Sequence, residues 1–77
     1  MKSNIESLIQ EKIKKYVLVT YDENATILSL GVDSIDFMRL IVDLEENLEL
    51  DFSVTVLSGY RDITPKILTE IILKELN

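Results

Sequence analysis

The 77-residue chain contains no cysteine, no histidine and no tryptophan, with a single proline and two glycines. Without Cys it forms no disulfide and offers no thiolate, either as nucleophile or as metal ligand. Without His it lacks the commonest general base and the commonest transition-metal ligand. A self-contained enzyme is therefore disfavoured, and neither a catalytic residue nor a metal site is assigned. Basic residues are also few: eight Lys plus Arg stand against fourteen Asp plus Glu, a net charge of −6. Gripping a phosphate backbone requires clustered Lys and Arg. The one dense group, Lys12, Lys14 and Lys15, reads as the solvated side and C-terminal end of a helix. No nucleic-acid partner is expected. No apolar run approaches the ~20 residues of a membrane span, and Met1–Glu6 lacks the apolar stretch of a signal peptide. The expectation is a soluble, cytoplasmic protein with no membrane contact.

What is present is enough apolar residue to fold, 47% of the chain, against about 45–50% in ordinary domains. The length suits one small domain over residues 1–77. Its stability should be modest, about 3–5 kcal/mol, because so short a chain builds a small core. A single core uses the apolar faces fully, so a monomer is expected.

Four segments carry helical signals. The first runs from Ser3 or Asn4 to Val17 or Leu18, with Ile5, Leu8, Ile9, Ile13, Tyr16 and Val17 near one face. Ser3 followed by Glu6 has the spacing of a capping box. A long connection, Val19 to Asp33, follows. Its Ile27, Leu28 and Leu30 should lay it over the core, and Gly31 should mark a tight turn. The second helix is predicted from Ser34 to about Leu48, with Asp33 and Ser34 both able to cap it. Ile35, Leu40, Ile41, Leu44 and Leu48 form its apolar stripe, and Phe37 belongs to the core side. Met38 and Val42 lie off that stripe as a small exposed apolar strip. Between Leu50 and Asp62 a short helical turn is expected around Val56–Tyr60. The alternation Phe52–Val56 reads equally as a strand, though without an obvious partner. The last helix starts after Asp62 or Thr64, with Pro65 in its first turn. The predicted architecture is an all-α four-helix bundle with three main helices and a short third. Its expected core is Ile5, Leu8, Ile9, Ile13, Leu30, Ile35, Leu40, Ile41, Leu44, Leu48, Ile63, Ile67 and Ile71. The first loop and the turn around Gly59 are expected to be its mobile parts.

The informative window is Leu30-Gly31-Val32-Asp33-Ser34-Ile35. It sets a hydroxyl at a helix N-terminus, where unsatisfied N–H groups and partial positive charge welcome a phosphate ester. No base accompanies that hydroxyl, so any reaction at Ser34 must be activated by another protein. The plain alternative is that Ser34 is only an N-cap.

The full pattern resembles the acyl carrier and peptidyl carrier protein family. The family signature reads Leu-Gly-x-Asp-Ser-Leu or Ile, with a Leu-Glu pair about ten residues later. Here that is Leu30-Gly31-Val32-Asp33-Ser34-Ile35 and Leu44-Glu45-Glu46, and the likeness extends over nearly the whole chain. The resemblance implies that Ser34 carries 4′-phosphopantetheine through a phosphodiester, with Asp33 and Ile35 as flanking motif. It implies installation from coenzyme A by a phosphopantetheinyl transferase, loading by an acyl- or aminoacyl-loading ligase or adenylation enzyme, and use by downstream synthases or transferases. The thiol that the chain lacks would then arrive on the cofactor.

By the same likeness, Asp33, Asp36, Glu45 and Glu46 should steer basic partners, and Met38 and Val42 should touch partners around the arm. Solvation of a helix face for Glu45, Glu46 and Glu49, and partial core burial for Met38 and Val42, remain open alternatives. Arg39 stands where fatty-acid carriers commonly have an acid. Tyr60-Arg61-Asp62-Ile63 looks more like the aromatic-Arg-Thr-Ile stretch of carriers in nonribosomal peptide and polyketide systems. These departures favour a free-standing carrier of a specialised pathway over the general carrier of type II fatty acid synthesis. A helical interaction module that never bears the group is the rival of a different class.

Overall fold

The structure, a computed structural model, describes residues 2–17, 19–51 and 59–76. Its helices are α1 (Lys2–Lys14), α2 (Ser34–Leu48) and α3 (Pro65–Leu76), with 3-10 turns at Leu28–Leu30 and Tyr60–Asp62. Among the described residues there is no strand, and the fold is all-α. The short helical turn expected at Val56–Tyr60 and the alternation Phe52–Val56 lie, up to Ser58, outside the described residues. Tyr60 itself opens the second 3-10 turn.

Each helix follows its apolar phase. On α1, Ile5, Ile9 and Ile13 are buried and face α3 and α2. On α2, Phe37, Leu40, Ile41 and Leu44 are buried. On α3, Leu68 and Ile72 are buried with Pro65 and Thr69. One cluster joins these three described helices with Ile27, Leu30, Val32 and Ile63.

Two expected core residues prove exposed. Ile35 is 62% exposed and Ile67 is 41% exposed. At about 100° per residue, Ile35 stands some 140° from Leu40 and about 180° from Leu44. It therefore points away from the face those two residues bury. Ile67 sits about 100° from Leu68 and about 140° from Ile72 in the same reckoning. Leu8, Leu48 and Ile71 are partly buried against the core rather than inside it.

Helix ends differ too. The helix α1 already includes Ser3, so the Ser3–Glu6 capping box does not form, and it stops at Lys14. Tighter bonds follow, Lys15 N–H to the Lys12 carbonyl at 3.4 Å and Tyr16 N–H to the Ile13 carbonyl at 2.9 Å. Lys12 is less solvated than expected: its side chain is 14% exposed and its Nζ lies 3.1 Å from Asp43 Oδ2 on α2. Seven positions after Ile5 and one before Ile13, it stands at the margin of the core face. The bond to Asp43, aided by the charge of that carboxylate and opposed by partial burial, raises its pKa above the ordinary lysine value. The start of α3 is as expected, with Thr64 Oγ1 accepting from the Ile67 N–H at 3.1 Å.

The long first connection is tied down. Ile27, Leu30 and Val32 are buried. The Ile27 N–H donates to the Ile63 carbonyl at 2.8 Å, and the Lys66 N–H donates to the Glu23 carbonyl at 3.1 Å. Local bonds add to this: Asn24 N–H to Asp22 Oδ1 at 2.9 Å, and Ser29 Oγ to the Thr26 carbonyl at 2.7 Å. The loop that looked sparsely bonded in sequence is thus anchored to the start of α3.

Candidate functional site

The segment Gly31–Ile35 is where the first connection becomes α2. Gly31 has φ 98° and ψ 7°, in the left-handed region, and its N–H donates to the Leu28 carbonyl at 3.1 Å. A side chain at that φ would be strained, which explains the glycine. Val32 then turns inward and is fully buried. Asp33 adopts extended angles and caps α2, its Oδ1 accepting from the Asp36 N–H at 2.8 Å. Its carbonyl accepts from the Phe37 N–H at 2.8 Å.

Asp33 rather than Ser34 therefore performs the capping. Ser34 is the first residue of the helix and is exposed. Among the described residues, nothing hydrogen-bonds to its hydroxyl. The hydroxyl stands beside the N–H groups that open α2, where the helix dipole favours an anion.

Beyond Ser34, the outer face of α2 is apolar at its centre. Ile35, Met38 and Val42 are all at least half exposed. Their spacing of three and four places them along one stripe. Met38, Arg39, Val42, Asp43 and Glu46 line a shallow open depression there. The Arg39 guanidinium lies 3.9 Å from Asp36 Oδ1 while remaining largely exposed. Glu46 is exposed and Glu45 is half-buried. Of the residues anticipated for this surface, Asp36, Met38, Arg39, Val42 and Glu46 thus lie around one outer face. Asp33 and Ser34 stand at its N-terminal end and Glu45 at its side. A second depression, lined by Glu6, Glu23, Lys66, Thr69 and Glu70, shares no residue with this one.

Sequence reasoning missed what supports the segment from below. The Tyr60 hydroxyl donates to the Val32 carbonyl at 3.2 Å. Its ring packs on Phe37, centroids 4.8 Å apart at 50°. Burial, reinforced by the Asp33 charge and opposed by Arg61, pushes the phenol pKa up and keeps it a donor. The aromatic at position 60 was visible in sequence, but its partner lies 28 positions away, beyond any local pattern.

In comparison with known families, a model described as "Phosphopantetheine attachment site" matches residues 5–64. No curated protein and no solved structure matches the chain.

Proposed function

Because the chain belongs to the phosphopantetheine attachment-site family, the non-catalytic carriers of covalent 4′-phosphopantetheine, we propose that Ser34 is the residue that bears the group. The observation that carries this reading is the division of labour at the start of α2. Asp33 is the cap, which leaves the Ser34 hydroxyl exposed and without a bond to any of the described residues. A primary hydroxyl beside the positive end of a 15-residue helix suits a phosphodiester. The chain supplies the oxygen and holds it out at the helix end. It has no His or Cys to remove the proton, so a phosphopantetheinyl transferase supplies the base. Once attached, the arm supplies a thiol on which acyl or aminoacyl groups are held as thioesters. The single core running from Ile5 to Ile72 supports treating residues 1–77 as one carrier domain.

Carriers of this family interact with a transferase and with biosynthetic enzymes. For this chain we assign that contact to Asp36, Met38, Arg39, Val42, Glu45 and Glu46, with Asp33 and Ile35 flanking the arm. The pathway we favour is a specialised one, of nonribosomal peptide or polyketide type. Arg39 supports it, because an exposed cation among Met38, Val42 and Glu46 disfavours partners built with a uniformly basic patch. Loading by aminoacyl- or acyl-activating enzymes, with little turnover by fatty-acid enzymes, is the expected pattern. Arg39→Glu should improve the latter if the charge is the barrier.

The test of the attachment site is intact-protein mass spectrometry after incubation with coenzyme A, magnesium and a broad-specificity phosphopantetheinyl transferase. Wild type should gain one phosphopantetheine and Ser34→Ala none. A folded wild type that gains nothing, even with transferases from its own source, would favour an interaction module instead. A gain that survives in Ser34→Ala would move the site elsewhere.

A further inference from the structure

We propose that Tyr60 is a positioning residue for the attachment segment: its phenol holds the Val32 carbonyl and so sets where Ser34 stands when a transferase docks. The inference rests on the reading of Ser34 as the attachment site. Only Asp33 separates Val32 from Ser34, and Asp33 is held by bonds to both the Asp36 and Phe37 N–H groups. With the Val32 carbonyl fixed on one side and Asp33 locked on the other, the backbone entering Ser34 has little freedom left. Before Val32 the chain passes through Gly31, whose left-handed backbone alone would allow other paths. The anchor itself is packed in place. The Tyr60 ring is packed on Phe37, which is fully buried in α2. A parallel tie, the Ile27 N–H to the Ile63 carbonyl, fastens the other end of the first 3-10 turn to the same stretch of chain. The segment is therefore pinned by residues 60–63 at two points. The backbone pair at Ile27 fixes the loop's path. The phenol is the tie nearest Ser34.

A transferase must meet a serine already in place, since each unfavourable conformer lowers the fraction competent to bind. Tyr60→Phe keeps the ring on Phe37 and removes only the donor. Losing one such bond is expected to raise the transferase KM for this carrier about threefold to tenfold, with kcat close to wild type. Amide hydrogen exchange at Gly31–Ser34 should accelerate while exchange within α1 and α3 stays unchanged. Ile72→Val, a core trim on α3, is the control for stability alone and should leave KM unaltered.

Several results would overturn the inference. A Tyr60→Phe variant that shares both KM and segment exchange with wild type would show that the phenol does nothing. Equally, a KM rise of the same size in Ile72→Val would show that stability alone matters. The failure of the Ser34 reading has a different signature: wild type itself would take no label, or would keep its label in Ser34→Ala. The exchange comparison needs no transferase and reads the clamp directly.

Discussion

The two faces of α2 are made from similar residues and meet opposite fates. Phe37, Leu40, Ile41 and Leu44 are buried, while Ile35, Met38 and Val42 are each half exposed or more. Both sets are apolar, so hydrophobicity does not separate them; helical phase does. The buried face is accounted for by folding. The outer face gains less from folding, and three half-exposed apolar side chains beside an exposed serine suit the docking role proposed for them. Apolar patches carry meaning when they sit where no core needs them.

The largest effect should come from breaking the inner face. Leu44→Ala is expected to cost about 2–5 kcal/mol, since a fully buried leucine leaves a cavity. A domain of this size has about 3–5 kcal/mol in all, so the variant should be largely unfolded by circular dichroism at room temperature. Val42→Ala, two positions earlier and on the outer face, should stay within about 0.5 kcal/mol of wild type in urea melts. Equal losses for the two would erase the distinction between the faces.

Next in size is the cap that sets both faces in phase. Asp33→Ala removes the acceptor of the Asp36 N–H and should lower stability by about 1 kcal/mol. Asp33→Asn should recover most of it. Were Ser34 to take over the capping in Asp33→Ala, the loss would be smaller, and phosphopantetheine attachment would slow because the hydroxyl had become engaged.

Smaller still is the stability change in Arg39→Glu. It places like charge three residues from Asp36 and should cost about 0.2–0.5 kcal/mol. Its effect belongs to partner choice. Turnover by enzymes with basic patches should rise, while that by the chain's own loading enzyme falls. A variant that changes stability but no partner's turnover would strip Arg39 of its role on the outer face.

Much of this architecture is legible in the sequence because helical periodicity and capping are local. The bounds of α2, a cap at Asp33 or Ser34, the Gly31 turn and the exposed Met38–Val42 strip all follow from neighbours within a few positions. The proposed attachment window, Leu30–Ile35, is legible for the same reason, since its residues are contiguous. The exposure of Ile35 is not legible from the apolar residues of its helix alone, because only the turn angle followed through to Leu44 sets it opposite the buried face. The ion pair of Lys12 is not legible because its partner, Asp43, lies on another helix. The Tyr60–Val32 bond and the Ile27–Ile63 bond were hidden likewise. What escapes a sequence reading here is contact between segments that only the assembled core brings together.

The least effect expected, and the one that probes those long-range contacts as a group, is a loss of stability at alkaline pH. Lys12 holds its proton above the ordinary lysine value through the bond to Asp43. Tyr21, raised first by burial and then by Glu23, Glu6 and Asp22, does the same, as does the half-buried Tyr60 phenol. In each case the folded chain binds the proton more tightly than the unfolded chain does. Their contribution is therefore complete below the unfolded-state values, about pH 10 for tyrosine and slightly higher for lysine. It is lost as pH rises through the folded-state values. Urea midpoints should stay level with respect to these groups from pH 8 to about pH 10 and fall beyond it. Lys12→Met should remove its share of that fall, and Tyr60→Phe another. Arg39 contributes to none of the three shifts, so Arg39→Glu should keep close to the wild-type alkaline slope, although Asp43, the partner of Lys12, also lines the depression on the outer face of α2.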